Sequence, residues 1–228
     1  MKTVRFHWQW LWKALVLATA SVALVGCGTG PAASDPIRVI SQVTPSAAGA
    51  PIAVATYNSF EFISFQGTGQ IFTYSVSNGE QSLVASYSMP CADPSGMGVV
   101  STSSVTALAV VCYDTQSLVT LRIAAAGTLS PLGTMTGLST PFPGVAMDGK
   151  TMFIPLFGVS HLSNGAVAKV DLSNPVVPVL VKTTTLASPA SGGFVNPGAL
   201  TVGAGKVLVA AGSESKPYRP IEQRASAG

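Results

Sequence analysis

Few residues in this chain carry the side chains that catalysis needs. Only 9% of the 228 residues are charged, against roughly 25% in a typical soluble domain. Beyond the first ten residues there is one histidine, His161, in the segment Gly158–Leu162. No Gly-x-Ser-x-Gly motif is present to supply a nucleophile, and a lone loop histidine is more typical of a solvated residue than of a catalytic base. The sequence predicts no catalytic residue, so the balance favours a binding protein while an enzyme stays open.

The carboxylates and thiols also lack the spacing of a metal site. The single aspartates Asp93, Asp114, Asp148 and Asp171 lie beside turn-forming or strand-ending residues, which favours local bonds to the backbone. The alternative is a ring of these carboxylates around a central channel, where it would hold a cation. Zinc needs closely spaced Cys or His ligands, and no phosphate loop or dinucleotide fingerprint is present. The sequence predicts neither a metal nor a cofactor.

The first 26 residues are typical of a secretory signal. The basic residues Lys2, Arg5 and Lys13 precede an apolar run, Ala14–Val25, and the small residue Gly26. The run is shorter than the roughly 20 apolar residues of a membrane-spanning helix, and the alternative is an anchor that extends back through the tryptophans. Removing this segment leaves nine basic and nine acidic residues. The predicted mature chain is neutral and lacks the basic surface that nucleic-acid binding requires.

The end of the signal carries a more specific motif. Leu24-Val25-Gly26-Cys27 resembles the lipobox of bacterial lipoproteins. This resemblance implies cleavage between Gly26 and Cys27, and a lipidated Cys27 with several acyl chains, which together anchor a protein stably to a membrane. Gly28 stands where lipoproteins of the inner membrane often carry Asp. The resemblance thus implies a protein of the cell envelope, lipid-anchored at the outer membrane and facing the periplasm or the cell surface.

The signal also sets the expected chemistry of the other cysteines. Cys91 and Cys112 would lie in an oxidising compartment, where disulfides persist. The alternative is two buried free cysteines. A disulfide needs Cα atoms within about 7 Å, and the sequence does not fix that distance, so both interpretations stay open.

Residues 27–50 and 51–212 differ in composition. The first range is rich in Gly, Ala, Ser and Pro and is predicted to be a flexible linker after the lipidated cysteine. In the second range, short segments rich in Val, Ile, Thr, Phe and Tyr alternate with turn residues, which predicts an all-β antiparallel domain. Predicted strands include Phe60–Gln66, Thr151–Leu156, Ala166–Asp171 and Ala199–Val202. Four dipeptides are the strongest turn signals: Asn78-Gly79, Asp148-Gly149, Asn164-Gly165 and Asn174-Pro175.

The β pattern repeats. Units that begin at Met97, Pro143 and Pro197 each contain a short strand, a turn and a stronger strand, and they start at intervals of 46 and 54 residues. Four strands in each unit of about 45 residues is typical of a β-propeller. Ala168–Pro175 resembles segments of the bacterial YVTN and LVIVD propellers, and this implies an incomplete propeller-like body of about three to four blades. The alternative is a β-sandwich.

Two further features of the body and its end are ambiguous. Tyr57, Phe60, Phe62 and Phe65 stand close together, and they favour core filling over a partner-binding patch. Residues 213–228 form a polar tail that loses the strand pattern. We expect this tail to be disordered or the product of a truncation.

Together these features predict a membrane-anchored lipoprotein with a propeller-like binding or scaffold domain. Its partners would be the membrane, through the lipid, and a protein or small ligand on the loop face. Two alternatives are a propeller-type enzyme, such as a lactonase-like hydrolase or a dehydrogenase, and a truncated fragment without a function of its own.

Overall fold

The computed structural model describes residues 49–158, 163–188 and 194–214. These residues form fourteen strands, with no helix among them. No helix in the described ranges is long and apolar enough to cross a membrane. The strands are β1 Ala50–Tyr57, β2 Phe60–Gln66, β3 Gln70–Ser77, β4 Glu80–Ser88, β5 Pro94–Ser101, β6 Thr106–Cys112, β7 Ser117–Ile123, β8 Leu129–Thr136, β9 Ala146–Asp148, β10 Thr151–Leu156, β11 Ala166–Asp171, β12 Val179–Thr185, β13 Phe194–Gly203 and β14 Lys206–Glu214.

Consecutive strands pair antiparallel into separate sheets. Strands β1–β4, β5–β8 and β9–β12 form three four-stranded sheets, and β13–β14 form a two-stranded sheet. We call these sheets blades I to IV. The prediction of an all-β fold built from four-stranded antiparallel repeats is confirmed. A β-sandwich is not formed, because each sheet contains only consecutive strands and packs against the next sheet along the chain.

The first strand of each blade lies innermost. Strand β1 packs on β5, β5 on β9, and β9 on β13, whereas the last strands of the complete blades, β4, β8 and β12, contain no buried residue. Two glycines of β5 permit close approach of blade III: a Cβ at Gly96 would lie 2.7 Å from Val145 Cγ1, and one at Gly98 would lie 2.6 Å from Met147 Cγ. This radial order is that of a propeller whose arc is incomplete.

Apolar clusters fill the spaces between the complete blades. Phe62, Leu108 and Leu121 belong to the cluster between blades I and II, and Met152 and Ile154 to the cluster between blades II and III. All five side chains are fully buried. Burial of apolar surface contributes about 25 cal/mol for each Å² removed from water, so these two clusters hold the three complete blades together.

The aromatic residues of the first hairpin are divided between two faces of blade I. Because side chains alternate along a strand, Phe60 and Phe62 face blade II, whereas Phe65 lies on the opposite face. There Phe65 meets the ring of Phe72 edge to face at 5.2 Å, next to the buried Tyr74. Phe62 and Phe65 are therefore core residues, whereas Tyr57 and Phe60 are half-buried and pack against the cluster at one end.

The predicted turn signals have three outcomes. Asn78-Gly79 forms the predicted two-residue hairpin turn, with φ values of 54° and 81°. The predicted Asp148-Gly149 turn is displaced by one residue, since Asp148 pairs with Thr151 and the loop is Gly149-Lys150. Asn174-Pro175 lies in the predicted loop, where Asn174 Oδ1 accepts a bond from Val176 N at 3.2 Å.

Asn164-Gly165 is not a hairpin turn. Neither residue has the positive φ that such a turn requires. They end the connection from β10 to β11, and Gly165 N donates to Val195 O of blade IV at 2.7 Å. The dipeptide therefore joins two blades instead of reversing the chain.

Candidate binding site

The loops of blades I and II collect at two opposite ends of the strands. One end carries the loops of residues 67–69, 89–93 and 113–116, and we call it the disulfide end. The other end carries the turns of residues 58–59, 102–105 and 124–128, and we call it the pocket end. Loops at such ends carry most binding functions in rigid β scaffolds, so each end is a candidate site.

A disulfide fastens blade I to blade II. Cys91 lies in the connection between β4 and β5, and Cys112 is the last residue of β6. Their sulfur atoms are 2.07 Å apart and their Cα atoms 6.0 Å apart. Both residues are buried. The bond fixes the connection between the two blades onto the second strand of blade II.

Two carboxylates reinforce the same end. Asp114 accepts bonds from the backbone N–H groups of Ala92, at 2.9 Å, and Asp93, at 3.4 Å. Asp93 in turn accepts a bond from Gly67 N of blade I at 3.2 Å. Gly69 completes the contact, because a Cβ there would collide with the carbonyl oxygen of Cys91. Asp93 and Asp114 thus act as backbone acceptors that lock two loops together.

Asp148 and Asp171 lie far from that pair. The connection into β9 starts at the disulfide end, where Leu138 N donates to Gln116 O, so the last residue of β9, Asp148, lies at the opposite end. Asp171 lies there too, since both aspartates pair with Thr151. The four aspartates do not form a ring. Among the described residues no three His, Cys, Asp or Glu side chains come together to hold a metal ion.

Asp171 is held in its ionised form by its surroundings. Its Oδ1 accepts a bond from Ser173 N at 2.8 Å. That bond, a second from the Ser173 side chain, and the nearby Lys150 and Lys169 lower the pKa of Asp171 below its ordinary value of 3.8. The carboxylate caps the loop that follows β11.

Some predicted sites fall outside the described ranges. They are Gly26 and Cys27 of the lipobox, His161 and most of the polar tail.

The pocket end contains a cavity of about 450 Å³ between blades I and II. Tyr57, Asn58 and Phe60 form the blade I side. The blade II side consists of the β5–β6 turn and the residues around the β7–β8 turn: Ser104, Val105, Thr106, Arg122, Ile123, Ala124 and Ala125. A volume of this size is in the range that accommodates a small molecule.

The two walls of this cavity are connected. Thr106 Oγ1 donates to Tyr57 OH at 3.4 Å. On the same end, Gly127 lies against the Phe60 ring, where a Cβ would be 2.7 Å from Cδ1. The β7–β8 turn therefore fits against the first hairpin of blade I, and the cavity has a defined shape.

Arg122 is the one charged residue that borders this cavity; by the alternation of β7 its side chain starts on the face towards blade III, whereas its neighbours Leu121 and Ile123 face blade I. It is the exposed residue of β7, which is otherwise buried. It makes no ion pair or side-chain hydrogen bond with any other residue in the described part of the chain. Sequence reasoning missed it, although a signal was present: it is the one charge in the segment Leu118–Ile123.

A second cavity of about 450 Å³ lies at the outer rim between the same blades. Tyr87 and Met89 line it from blade I, and Val119, Pro131 and Leu132 line it from blade II. It has no charged lining residue, so it offers apolar contact without a group to orient a ligand.

The sequence matches no family model and no curated protein. It is similar in structure to a protein from Lactobacillus plantarum, with a TM-score of 0.54 and 14% identity over 72% of this chain and 51% of that chain. Two further similar structures have TM-scores of 0.49. One is the β-propeller domain of Cps50 (Swd1) from Myceliophteria thermophila, at 12% identity over 73% of this chain and 51% of that chain. The other is a catalytically inactive virginiamycin B lyase from Staphylococcus aureus with quinupristin, at 11% identity over 74% and 50%.

These similarities concern the fold alone. The chain spans about half the length of the Lactobacillus plantarum protein. The chain has an incomplete propeller-like fold.

Proposed function

We propose that this protein is a membrane-anchored bacterial lipoprotein of the cell envelope, whose propeller-like domain binds a small amphipathic anion. The observation that carries the binding proposal is the cavity at the pocket end, which Arg122 borders without a side-chain partner among the described residues. The lipobox-like Leu24–Cys27 supports the anchoring.

The cavity is suited to binding because its walls are preformed in the free protein. The disulfide, the aspartate bonds and the apolar cluster hold blade I against blade II. A preformed site loses little conformational entropy when a ligand enters. The ligand therefore meets the same geometry that the free protein has.

The lining specifies the chemical class of the ligand. A guanidinium has a planar set of donors that pairs with both oxygens of a carboxylate. The Phe60 ring and Ile123 offer apolar surface, while the hydroxyl groups of Ser104 and Thr106 offer further polar contacts. A carboxylate attached to a small aromatic or aliphatic body matches this combination.

Binding can be tested with simple carboxylates. We expect full-length protein in detergent micelles to bind phenylacetate or octanoate in calorimetric titrations, and Arg122→Gln to weaken binding at least tenfold, since charge-assisted bonds are the strongest polar contacts in such sites. Lys182→Gln, on the outer strand of blade III, is the matched control and keeps wild-type affinity. Equal affinity in wild type and Arg122→Gln would contradict the proposed site.

Anchoring has its own test. We expect labelled palmitate to be incorporated when the full chain is produced in a bacterium, and the protein to fractionate with membranes. Cys27→Ala abolishes both properties, whereas Gly28→Ala retains them. An unacylated, soluble wild-type protein would overturn the anchoring proposal and leave the cavity proposal standing.

A further inference from the structure

Blade III is exposed on the side where blade IV is narrow. Every residue of β12 is exposed, whereas β4 and β8 each have several half-buried residues. Blade IV has two described strands, β13 and β14, and β13 packs on β9, β10 and part of β11. The outer part of blade III, β11 and β12, therefore has a face that the described part of blade IV leaves uncovered.

The register of blade III shows which side chains occupy this face. Met152, Ile154 and Val170 point to blade II, where they are buried. The alternate residues point towards blade IV. Among them Lys169 pairs directly with Lys182, and Asp171 with Val179. We call Lys169, Asp171, Val179 and Lys182 the open face.

The open face carries two positive charges directly opposite each other. Like charges directly opposite each other on neighbouring strands are destabilising, and Lys169 and Lys182 are such a pair. Asp171 lies two residues from Lys169 and its carboxylate offsets part of this charge, so the open face keeps a net positive charge. An acidic side chain placed over the two lysines would offset their repulsion.

A free strand edge lies beside the open face. Strand β14 pairs with β13 along one edge, and no described residue pairs with its other edge. The register shift of this hairpin lies in β13, between Pro197 and Ala199, and β14 contains no proline. Long, regular edges of this kind accept an added strand.

We propose that the edge of β14 and the open face together bind an extended acidic segment of a partner protein. The segment pairs with β14 as the third strand of blade IV. Because the blades repeat one radial order, a third strand lies over β11 and β12. Its acidic side chains meet Lys169 and Lys182, and an apolar side chain covers Val179. This surface is separate from the Arg122 cavity and does not depend on the function proposed for it.

The test uses an acetylated, labelled nonapeptide of alternating Glu and Val, with full-length protein in detergent micelles and anisotropy as the readout. We expect the peptide to bind, and its affinity to fall as the salt concentration rises. A Lys169→Gln/Lys182→Gln variant weakens binding about five- to tenfold, whereas Arg122→Gln, at the separate cavity between blades I and II, keeps wild-type affinity. These are surface substitutions that leave the packing of blade III unchanged.

Edge pairing is tested by hydrogen exchange in the same samples. Bound peptide slows amide exchange at alternate residues of β14. The proposal is overturned if an alternating Lys-Val peptide binds equally well, if the double variant binds normally, or if β14 gains no protection. The proposal is also overturned if β14 is protected from exchange without peptide and the mass of the protein doubles as its concentration is raised. A second copy of the chain then occupies the edge of β14.

Discussion

The junction between blades I and II and the junction between blades III and IV are held by different kinds of interaction. The first has a disulfide, carboxylate bonds and a fully buried apolar cluster. The second is held at one end by two asparagines: Asn196 Oδ1 accepts a bond from Gly158 N at 2.9 Å, and Asn164 Oδ1 accepts one from Val195 N at 3.0 Å. Asn164 also donates to Ser188 Oγ at 2.8 Å.

The difference shows what a full blade contributes. Side-chain hydrogen bonds fix the position of blade IV, but each contributes only about 1 kcal/mol net. Apolar burial contributes more, and it needs a neighbour that covers the whole sheet. Blade II covers blade I in this way, whereas Leu200 and Val209 of blade IV are only half-buried. The first junction should therefore resist unfolding better than the second.

Leucine truncations should show the largest contrast. Leu108 is 0% exposed in the cluster between blades I and II, so Leu108→Ala should lower the free energy of unfolding by about 3–4 kcal/mol. Leu200→Ala, the matched change at the half-buried site of blade IV, should lower it by about 1 kcal/mol. Urea denaturation measures both values, and equal losses would contradict the contrast.

Removal of the disulfide should have the next largest effect. Cys91 and Cys112 are 21 residues apart, and closing a loop of that length stabilises a protein by about 3 kcal/mol. We expect Cys91→Ala/Cys112→Ala to lose about that amount in urea denaturation. Reduced wild-type protein is the control and should lose a similar amount, and a variant as stable as the oxidised protein would refute the role given to this bond.

Removing one polar contact from each junction should give losses of stability that differ less. Asp114→Ala removes a carboxylate that accepts two backbone bonds and should cost about 1.5 kcal/mol, whereas Asn196→Ala removes an amide that accepts one and should cost about 1 kcal/mol. Thermal unfolding of the two variants at pH 7 measures this order. The reverse order would mean that the asparagine contacts dominate their junction.

The smallest expected effect concerns pH. Because the folded-state pKa of Asp171 lies below its ordinary value of 3.8, its ionised form stabilises the fold above about pH 4, and this contribution disappears as the pH falls through the folded-state pKa. We expect Asp171→Asn to be less stable than wild type at pH 6 and closer to it at pH 2. A titration of the carboxyl group by NMR checks the direction, and a pKa above 3.8 would contradict it.

Sequence pattern was most informative where a strand is regular. The predicted segments Phe60–Gln66, Thr151–Leu156 and Ala166–Asp171 match β2, β10 and β11, because β-branched and aromatic residues mark strands directly. The pattern predicted only Ala199–Val202 of β13, which begins at Phe194. The first half of β13 was not predicted because Pro197 and Gly198 are residues that normally disfavour the interior of a strand.

The site was harder to predict because it depends on contacts between blades. Arg122 is the one charge in its strand, but this pattern does not show which cavity it borders, since Tyr57 and Thr106 reach that cavity from different blades. The pairing of Cys91 with Cys112 likewise depends on how β6 lies beside the connection that precedes β5. Such distances are tertiary properties, which composition and spacing do not contain.

Native-state hydrogen exchange tests the contrast between the two junctions most directly. Amides in β6 and β7 should exchange only when the whole domain unfolds, whereas amides in β13 and β14 should exchange through local opening, at least a hundredfold faster. Uniform protection across β6, β7, β13 and β14 would show that blade IV is held as firmly as blade II, and would contradict the account.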